Sequence, residues 1–332
     1  MNFKFAVIGG GAWGSAIANL LARLENSNVV IWAQEKEVVD EINSKNKNSL
    51  FLKDIVLEKN VYATENLSKA VAPFIFYVTP AQNFREIISV HKKYIDENCE
   101  IVICSKGIEI SSGKLLSEII NDILPNINYY ILSGPSFAHE VANNKPAALV
   151  ISSNNIKNSI KVSNYISSKN FRLYPSDDII GVQLGGAIKN IYAISSGIVS
   201  GLNYGENAIA ALLTRAISEM VRISIALGGK KESIFGLSGV GDILLTCTSK
   251  LSRNFSLGIA IGEGAKIEEI IVDRKTIAEG YYTTKAIYNL IKELEIDTPI
   301  LNSVYDILFN AANPIYEADL LLSRPIKNSE FS

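Results

Sequence analysis

Phe3-Lys4-Phe5-Ala6-Val7-Ile8 runs directly into Gly9-Gly10-Gly11-Ala12-Trp13-Gly14, and a helical apolar pattern, Trp13–Leu24, follows. The first run reads as a short strand and the last as a helix, so the glycines form a strand-to-helix turn. In that setting the G-x-G-x-x-G spacing has a mechanism. Gly9 permits the tight turn, Gly11 lets the main chain approach a pyrophosphate, and Gly14 lets helix and strand pack closely. The helix N-terminus attracts the phosphate. Phe5 to Ala22 carries no charge and follows Lys4, which superficially resembles a secretion signal. Its glycines and its strand–turn–helix order explain it better.

Outward from this turn, short apolar runs recur at Val29–Trp32, Phe74–Val78, Ile101–Cys104 and Tyr129–Leu132. Helical patterns at Phe84–Tyr94 and Lys114–Leu124 separate them. Alternating strands and helices imply βαβ units and a parallel sheet covered on both faces. Ala147–Ile151 and Phe171–Tyr174 extend the sheet at its far edge. After about Ser176 the texture becomes helical: Ile179 onward, Ala208–Leu227 ending at Gly228-Gly229, Ile267–Ile271, Thr284–Leu294 and Ser303–Phe309, with Pro299 and Pro314 as punctuation. The expected fold class is α/β, an N-terminal Rossmann doubly wound parallel sheet over residues 1–178 and an all-helical domain over 179–325. Asn43–Asn48 and Ser152–Ser159 read as surface loops.

Composition narrows the function classes. Of 332 residues 48% are hydrophobic and 20% charged, which suits a folded chain and excludes global disorder. The net charge of −2 offers no basic excess for a nucleic-acid backbone, so no nucleic acid is expected as partner. Three cysteines without a CxxC pair, and two histidines, point to no disulfide framework and no metal site. Ile179 to Gly205 is long enough to span a bilayer and holds one charge, Lys189. Six glycines with Gln183, Asn190 and Asn203 make it a buried core helix instead, so no membrane insertion and a cytoplasmic location are expected.

That lone charge is the most informative residue. Desolvation disfavours an ammonium and lowers its pKa, which makes Lys189 a competent general acid or base; the alternative is a lysine that pairs with a carboxylate or snorkels out at the helix edge. Gly185 and Gly186 lie one turn earlier and would leave room for a ligand beside the amine. Lys106, in Ser105-Lys106-Gly107, follows a strand run where parallel sheets bind ligands, and is a candidate to grip an oxygen. Ser133-Gly134-Pro135-Ser136 follows another strand and offers amides and a hydroxyl. Gly236–Gly241 leads to Asp242, a helix cap or a substrate hydrogen-bonding group. Ser252-Arg253-Asn254 precedes the helix Phe255–Ile261 and suits an anion such as phosphate. At the end of the second strand, Trp32-Ala33-Gln34-Glu35 does not decide between NAD and NADP. Arg215, Glu219 and Arg222 read as a helix-face ladder, His91 beside Lys92 and Lys93 as part of a solvated face, His139 as an ordinary polar contact, and the cysteines as reduced thiols.

Taken in order, Gly9–Gly14, Ser105-Lys106-Gly107-Ile108-Glu109, Ser133-Gly134-Pro135-Ser136-Phe137-Ala138 and Gly181–Asn190 carry a resemblance. Ala211-Leu212-Leu213-Thr214-Arg215, Gly239-Val240-Gly241-Asp242, Leu244-Leu245-Thr246-Cys247, Ser252-Arg253-Asn254 and Glu279-Gly280 continue it. The chain resembles the bacterial NAD(P)-dependent sn-glycerol-3-phosphate dehydrogenases. The resemblance implies a 6-phosphogluconate dehydrogenase-like two-domain fold with the active site between the domains. It implies reduction of dihydroxyacetone phosphate to sn-glycerol 3-phosphate by NADPH or NADH, feeding glycerophospholipid synthesis, in a homodimer. By matching position, Lys189 is the proton donor and acceptor, and Lys106 touches both cofactor and substrate. Gly134, Ser136, Lys189, Asp242, Ser252, Arg253 and Asn254 contact substrate. Gly9, Gly11, Ala12, Trp13, Gly14, Gln34, Lys106, Ala138, Arg253, Ile277 and Glu279 line the cofactor. Gln34 departs from the basic residue that NADP-using members often place there. The competing expectation is a related dehydrogenase acting on another hydroxy acid or an acyl-CoA.

Overall fold

A computed structural model describes residues 2–267, 269–270 and 278–325. It divides into two units, one of Met1–Lys106 with Leu115–Ile179, the other of Gly107–Lys114 with the chain from Ile180 onward. The excursion Gly107–Lys114 groups with the second unit, which nothing in the linear pattern announces.

In the first unit the strands are β1 (Phe5–Ile8), β2 (Val29–Trp32), β3 (Lys47–Asn48), β4 (Leu52–Val56), β5 (Val61–Thr64), β6 (Phe74–Tyr77), β7 (Glu100–Ile103), β8 (Asn128–Ser133), β9 (Ala147–Ser152) and β10 (Phe171–Ser176). Eight form one sheet in the order β10-β9-β8-β7-β6-β1-β2-β5, and β3 with β4 forms a small antiparallel ladder. The central strand β1 pairs in parallel with β2 (Ile8 opposite Trp32) and with β6 (Ile8 opposite Tyr77). All four β1 residues are buried, as expected of a parallel strand covered on both faces. Val7, Ile17, Leu21, Ile31 and Phe76 belong to the core that the sheet and its helices share.

The sheet departs from the wholly parallel expectation at one place, where β9 runs antiparallel to β8 with Ile131 opposite Ser152. The reason is the length of the connection. Its helix, Ala138–Ala142, has five residues, about 7 Å of rise, against a strand of about 20 Å, which favours re-entry at the same end of the sheet over a return crossover. The next connection contains the eleven-residue helix Ile156–Ile166, and there β10 is parallel to β9. Two expected surface loops are corrected. Asn43–Asn48 lies in the end of helix Lys36–Lys45 and in β3, with Asn48 buried. Ser152–Ser159 ends β9 and begins the 156–166 helix, with Ser152, Ser153 and Ser159 buried. The edge strand β5 was also not expected.

The second unit is helical, as the sequence texture predicts. Its central element, Ile179–Gly201, is buried along most of its length: Leu184, Ala187, Ile188 and Ile191 are at 0% exposure. Glycines let a second helix, Arg253–Gly262, lie against it at close range. A Cβ on Gly258 would stand 2.1 Å from the Ile194 carbonyl oxygen, and one on Gly197 2.2 Å from that of Phe255. Glu206–Ala226, Glu279–Ile291, Pro299–Phe309 and Pro314–Leu322 complete the bundle. Among the described residues no helix is long and apolar enough to cross a membrane. The expected helix Ile267–Ile271 lies partly outside the described residues.

Candidate active site

In the first unit, Gly9 has φ +128°, and a Cβ there would meet the Val78 carbonyl at 2.9 Å. A Cβ on Gly14 would fall 1.8 Å from the Gly9 carbonyl oxygen, so helix and turn approach as the spacing predicts. Gly11 caps the twelve-residue helix Ala12–Arg23 and has open space where a side chain would stand. The turn is held from behind by a residue the sequence did not single out. Asn48 Nδ2 donates to the Gly10 carbonyl at 2.7 Å and to Ser15 Oγ at 2.8 Å. No spacing signal could have found it; β3 delivers it from elsewhere in the chain.

At the carboxyl ends of β7 and β8, Lys106 Nζ donates to the Gly134 carbonyl at 3.3 Å, and Ser136 Oγ donates to the same oxygen at 3.0 Å. Three expected site residues therefore converge. Gly134 has φ +146°, and a Cβ there would lie 2.9 Å from Leu149 Cα, so this turn requires glycine. Ala138 begins the helix that follows. Gln34 is exposed just beyond β2. The Thr79 and Ser133 hydroxyls, at the ends of β6 and β8, are buried without a hydrogen-bond partner among the described residues.

In the second unit, Lys189 Nζ donates to Asp242 Oδ1 at 2.6 Å and to Thr246 Oγ1 at 2.8 Å, while Thr246 Oγ1 donates to the same Oδ1 at 3.3 Å. Lys189 is 7% exposed and Asp242 1%. The lysine is buried and paired with a carboxylate, the alternative weighed above: burial disfavours the ammonium, and Asp242 opposes that effect. The role expected for Gly185 is corrected. It does not open a path for a ligand, because a Cβ there would stand 2.7 Å from the Ser238 carbonyl oxygen. Its missing side chain instead lets the turn Leu237–Gly241 press against the lysine's helix and bring Asp242 within reach. Cys247, at the end of Asp242–Cys247, is buried, and desolvation drives its thiol far above the ordinary range, with Lys189 pulling it back.

Ser252 caps helix Arg253–Gly262, its Oγ accepting from Phe255 N–H at 3.3 Å. The Asn254 side chain joins two other segments: its Nδ2 donates to Asn190 Oδ1, and its Oδ1 accepts from Gly280 N–H, each at 2.9 Å. Arg253 is exposed, and Glu279 begins the helix after Ala278. Ile277 lies outside the described residues.

Two charged or polar residues expected at the surface or in a helix-face ladder are instead buried. Glu219 is more than a member of a helix-face ladder: it is at 0% exposure, and its carboxylate accepts from Ile300 and Leu301 N–H at 3.0 and 2.8 Å. Burial pushes that carboxyl up to about 7, against the pull of those two amides, Arg222 and Tyr192. His91 is not solvated but fully buried, with Nδ1 2.7 Å from Tyr77 Oη.

A glycine turn opening a sheet-bound helix, and a buried lysine held by carboxylate and hydroxyl on an apolar helix, define a nicotinamide-nucleotide dehydrogenase with a helical second unit. Models of the N- and C-terminal parts of NAD-dependent glycerol-3-phosphate dehydrogenase match residues 4–159 and 178–318. The chain belongs to this family and is an NAD(P)-dependent oxidoreductase. It is 40% identical over 328 residues to the glycerol-3-phosphate dehydrogenase [NAD(P)+] of Novosphingobium aromaticivorans, covering 98% of both chains. Identity to that of Clostridium tetani is 41% over 323 residues, covering 97% of this chain and 92% of the relative. Among solved structures, the glycerol-3-phosphate dehydrogenase of Coxiella burnetii matches with TM-score 0.92 and 36% identity, over 97% of this chain and 99% of that one.

Proposed function

We propose that this protein reduces dihydroxyacetone phosphate to sn-glycerol 3-phosphate, in support of glycerophospholipid synthesis, with Lys189 as proton donor. The observation that carries the reading is the buried Lys189 ammonium held by Asp242 and Thr246. The glycine turn suits a dinucleotide: Gly11 is open at a helix N-terminus, and Gly9, Ala12, Trp13 and Gly14 set the main chain around it. With Gln34, Lys106, Ala138, Arg253, Ile277 and Glu279 they would hold NADH or NADPH. When bound, the reduced nicotinamide supplies a hydride equivalent to the carbonyl carbon. Negative charge then develops on the carbonyl oxygen, and Lys189 Nζ delivers the proton that completes the alcohol. Asp242 keeps the lysine charged before transfer and orients its N–H groups. Lys106 and Ser136, already directed at the Gly134 carbonyl, bind oxygens of the substrate. Ser252, Arg253 and Asn254 take the phosphate. Because the Asn254 amide is engaged with Asn190 and Gly280, its share falls to the main-chain N–H in the first turn. A second copy of the chain as partner and residence in the cytoplasm belong to the same proposal.

The test is NADH and NADPH consumption with dihydroxyacetone phosphate, wild type beside Lys189→Ala. The expected result is turnover by wild type and a loss of about 10²–10⁴-fold in the variant, the scale of general acid catalysis. The ratio of the two wild-type rates gives the cofactor preference that the sequence around Gln34 leaves open. A folded, cofactor-binding wild type without turnover overturns the substrate, and an active Lys189→Ala removes Lys189 from its role.

A further inference from the structure

Three helices of the second unit meet at one carboxylate. Glu219, on Glu206–Ala226, accepts from Leu301 N–H at 2.8 Å and Ile300 N–H at 3.0 Å, the first turn of Pro299–Phe309. It accepts a third bond, 3.2 Å, from Tyr192 Oη on Ile179–Gly201. Glu219 and Tyr192 are both at 0% exposure. Helix N-termini attract acidic groups, and two amides alone would satisfy this one. The tyrosine bond goes further, because Tyr192 lies three residues past Lys189, about 4.5 Å along the same helix and on nearly the same face.

We propose that Glu219 is a positioning residue for the reaction: through the Tyr192 hydroxyl it fixes the setting of the helix that presents Lys189 to Asp242 and Thr246. This rests on Lys189 being the proton donor. The lysine's own surroundings show why its helix must not slip. Nζ sits between two acceptors at 2.6 and 2.8 Å, close to the lower limit for such bonds. The main chain beside it is tied as well, since Cys247 Sγ lies 3.9 Å from the Lys189 carbonyl oxygen and Ser196 Oγ donates to the Cys247 carbonyl at 2.8 Å. Asp242, Thr246 and Cys247 hold the helix from one element, and Glu219, itself anchored by the amides of Pro299–Phe309, holds it from a second through Tyr192. All three donors around Glu219 call for an acceptor, and a carboxylate accepts all of them. A glutamine would turn its NH2 toward one of the N–H or O–H groups.

The variants are Tyr192→Phe, which keeps the ring and removes the hydroxyl, Glu219→Gln, and the two combined. Tyr192→Phe is expected to lower kcat about tenfold, the scale of a small misplacement of a reacting group, with KM for dihydroxyacetone phosphate within about twofold. The double variant should fall little below the weaker single variant, because both remove one interaction. A second readout needs no turnover: in protein carrying ¹³Cε-labelled lysine, the titration of Lys189 should shift in Tyr192→Phe, which a loss of packing stability alone would not produce. A folded Tyr192→Phe with wild-type kcat and an unshifted Lys189 titration overturns the proposal, whether or not Glu219→Gln folds. Absence of wild-type turnover overturns the reaction assigned above instead, and the Lys189 titration then decides the positioning role alone.

Discussion

Asp242→Asn removes one charge and almost no volume. The lost charge stands 2.6 Å from Lys189 Nζ, with Lys189 7% exposed, so water cannot replace it. The unpaired ammonium has two courses. It can stay charged, and removing one partner of a buried pair costs about 3–5 kcal/mol. Or it can lose its proton, which costs about 1.4 kcal/mol for each pH unit below the ordinary lysine value of about 10.4. At pH 7 the second course costs about 4.6 kcal/mol, so the variant should lose about 3–5 kcal/mol there by either course. The sign against pH follows from proton counting. In the variant, Lys189 is depressed in the folded state relative to the unfolded chain. Between the depressed value and about 10.4 the unfolded chain therefore binds more protons, and stability rises with pH. The deficit relative to wild type should shrink to about 1.2 kcal/mol near pH 9.5. Urea unfolding followed by far-ultraviolet circular dichroism, which weights the helical unit, measures it at both pH values. A loss under about 1 kcal/mol at pH 7, or one that does not change with pH, would refute the view that Asp242 holds the lysine's charge in place.

Other consequences are more local. Gly258→Ala puts a Cβ 2.1 Å from the Ile194 carbonyl oxygen, so the two helices must separate; a loss of about 1–3 kcal/mol in the helical unit is expected on thermal unfolding. Asn48→Ala removes the 2.7 Å bond to the Gly10 carbonyl and should weaken NADH binding, read by titration of the cofactor's fluorescence, about 5- to 10-fold while leaving the Lys189 site alone. Burial lowers His91 to about 4. Its folded value lies below its unfolded one, so the stability of the first unit should be complete above about pH 6.5 and decline toward pH 4. His91→Gln should flatten that acid arm in urea midpoints taken at about pH 7 and 4.5, and an unchanged arm would exclude His91 as its source.

The glycine turn was legible because its whole mechanism is local. Six consecutive residues hold the tight turn, the open Gly11 and the Gly9–Gly14 approach, and the flanking apolar runs say which elements they join. The antiparallel β9 is legible only through the shortness of the helix before it, because an apolar run carries no direction. His91 could have been found. Phe84, Ile88 and His91 follow one another at helical spacing and share the buried face, whereas the adjacent Lys92 and Lys93 drew attention to the other face.

Lys189 and Glu219 show where such reading gains or loses its hold. Both are buried charges on long helices of the second unit, and both are satisfied by groups distant in sequence: Lys189 by Asp242, Glu219 by the amides of Ile300 and Leu301. Lys189 stands alone in an apolar run with no opposite charge within one turn. A buried charge must be compensated, so the isolation itself requires a remote partner and marks the residue. Glu219 has Arg215 and Arg222 at ladder spacing, so local geometry already offers a sufficient explanation, and a remote one is not called for. What distinguishes the two faces of its helix is the N-terminus of Pro299–Phe309, placed there by the packing of the whole unit. A polar residue is therefore readable when its surroundings fail to satisfy it locally, and hidden when they appear to succeed. By that rule the charges whose roles stay hidden in such a bundle are those with convenient helical neighbours, of which Glu219 is one.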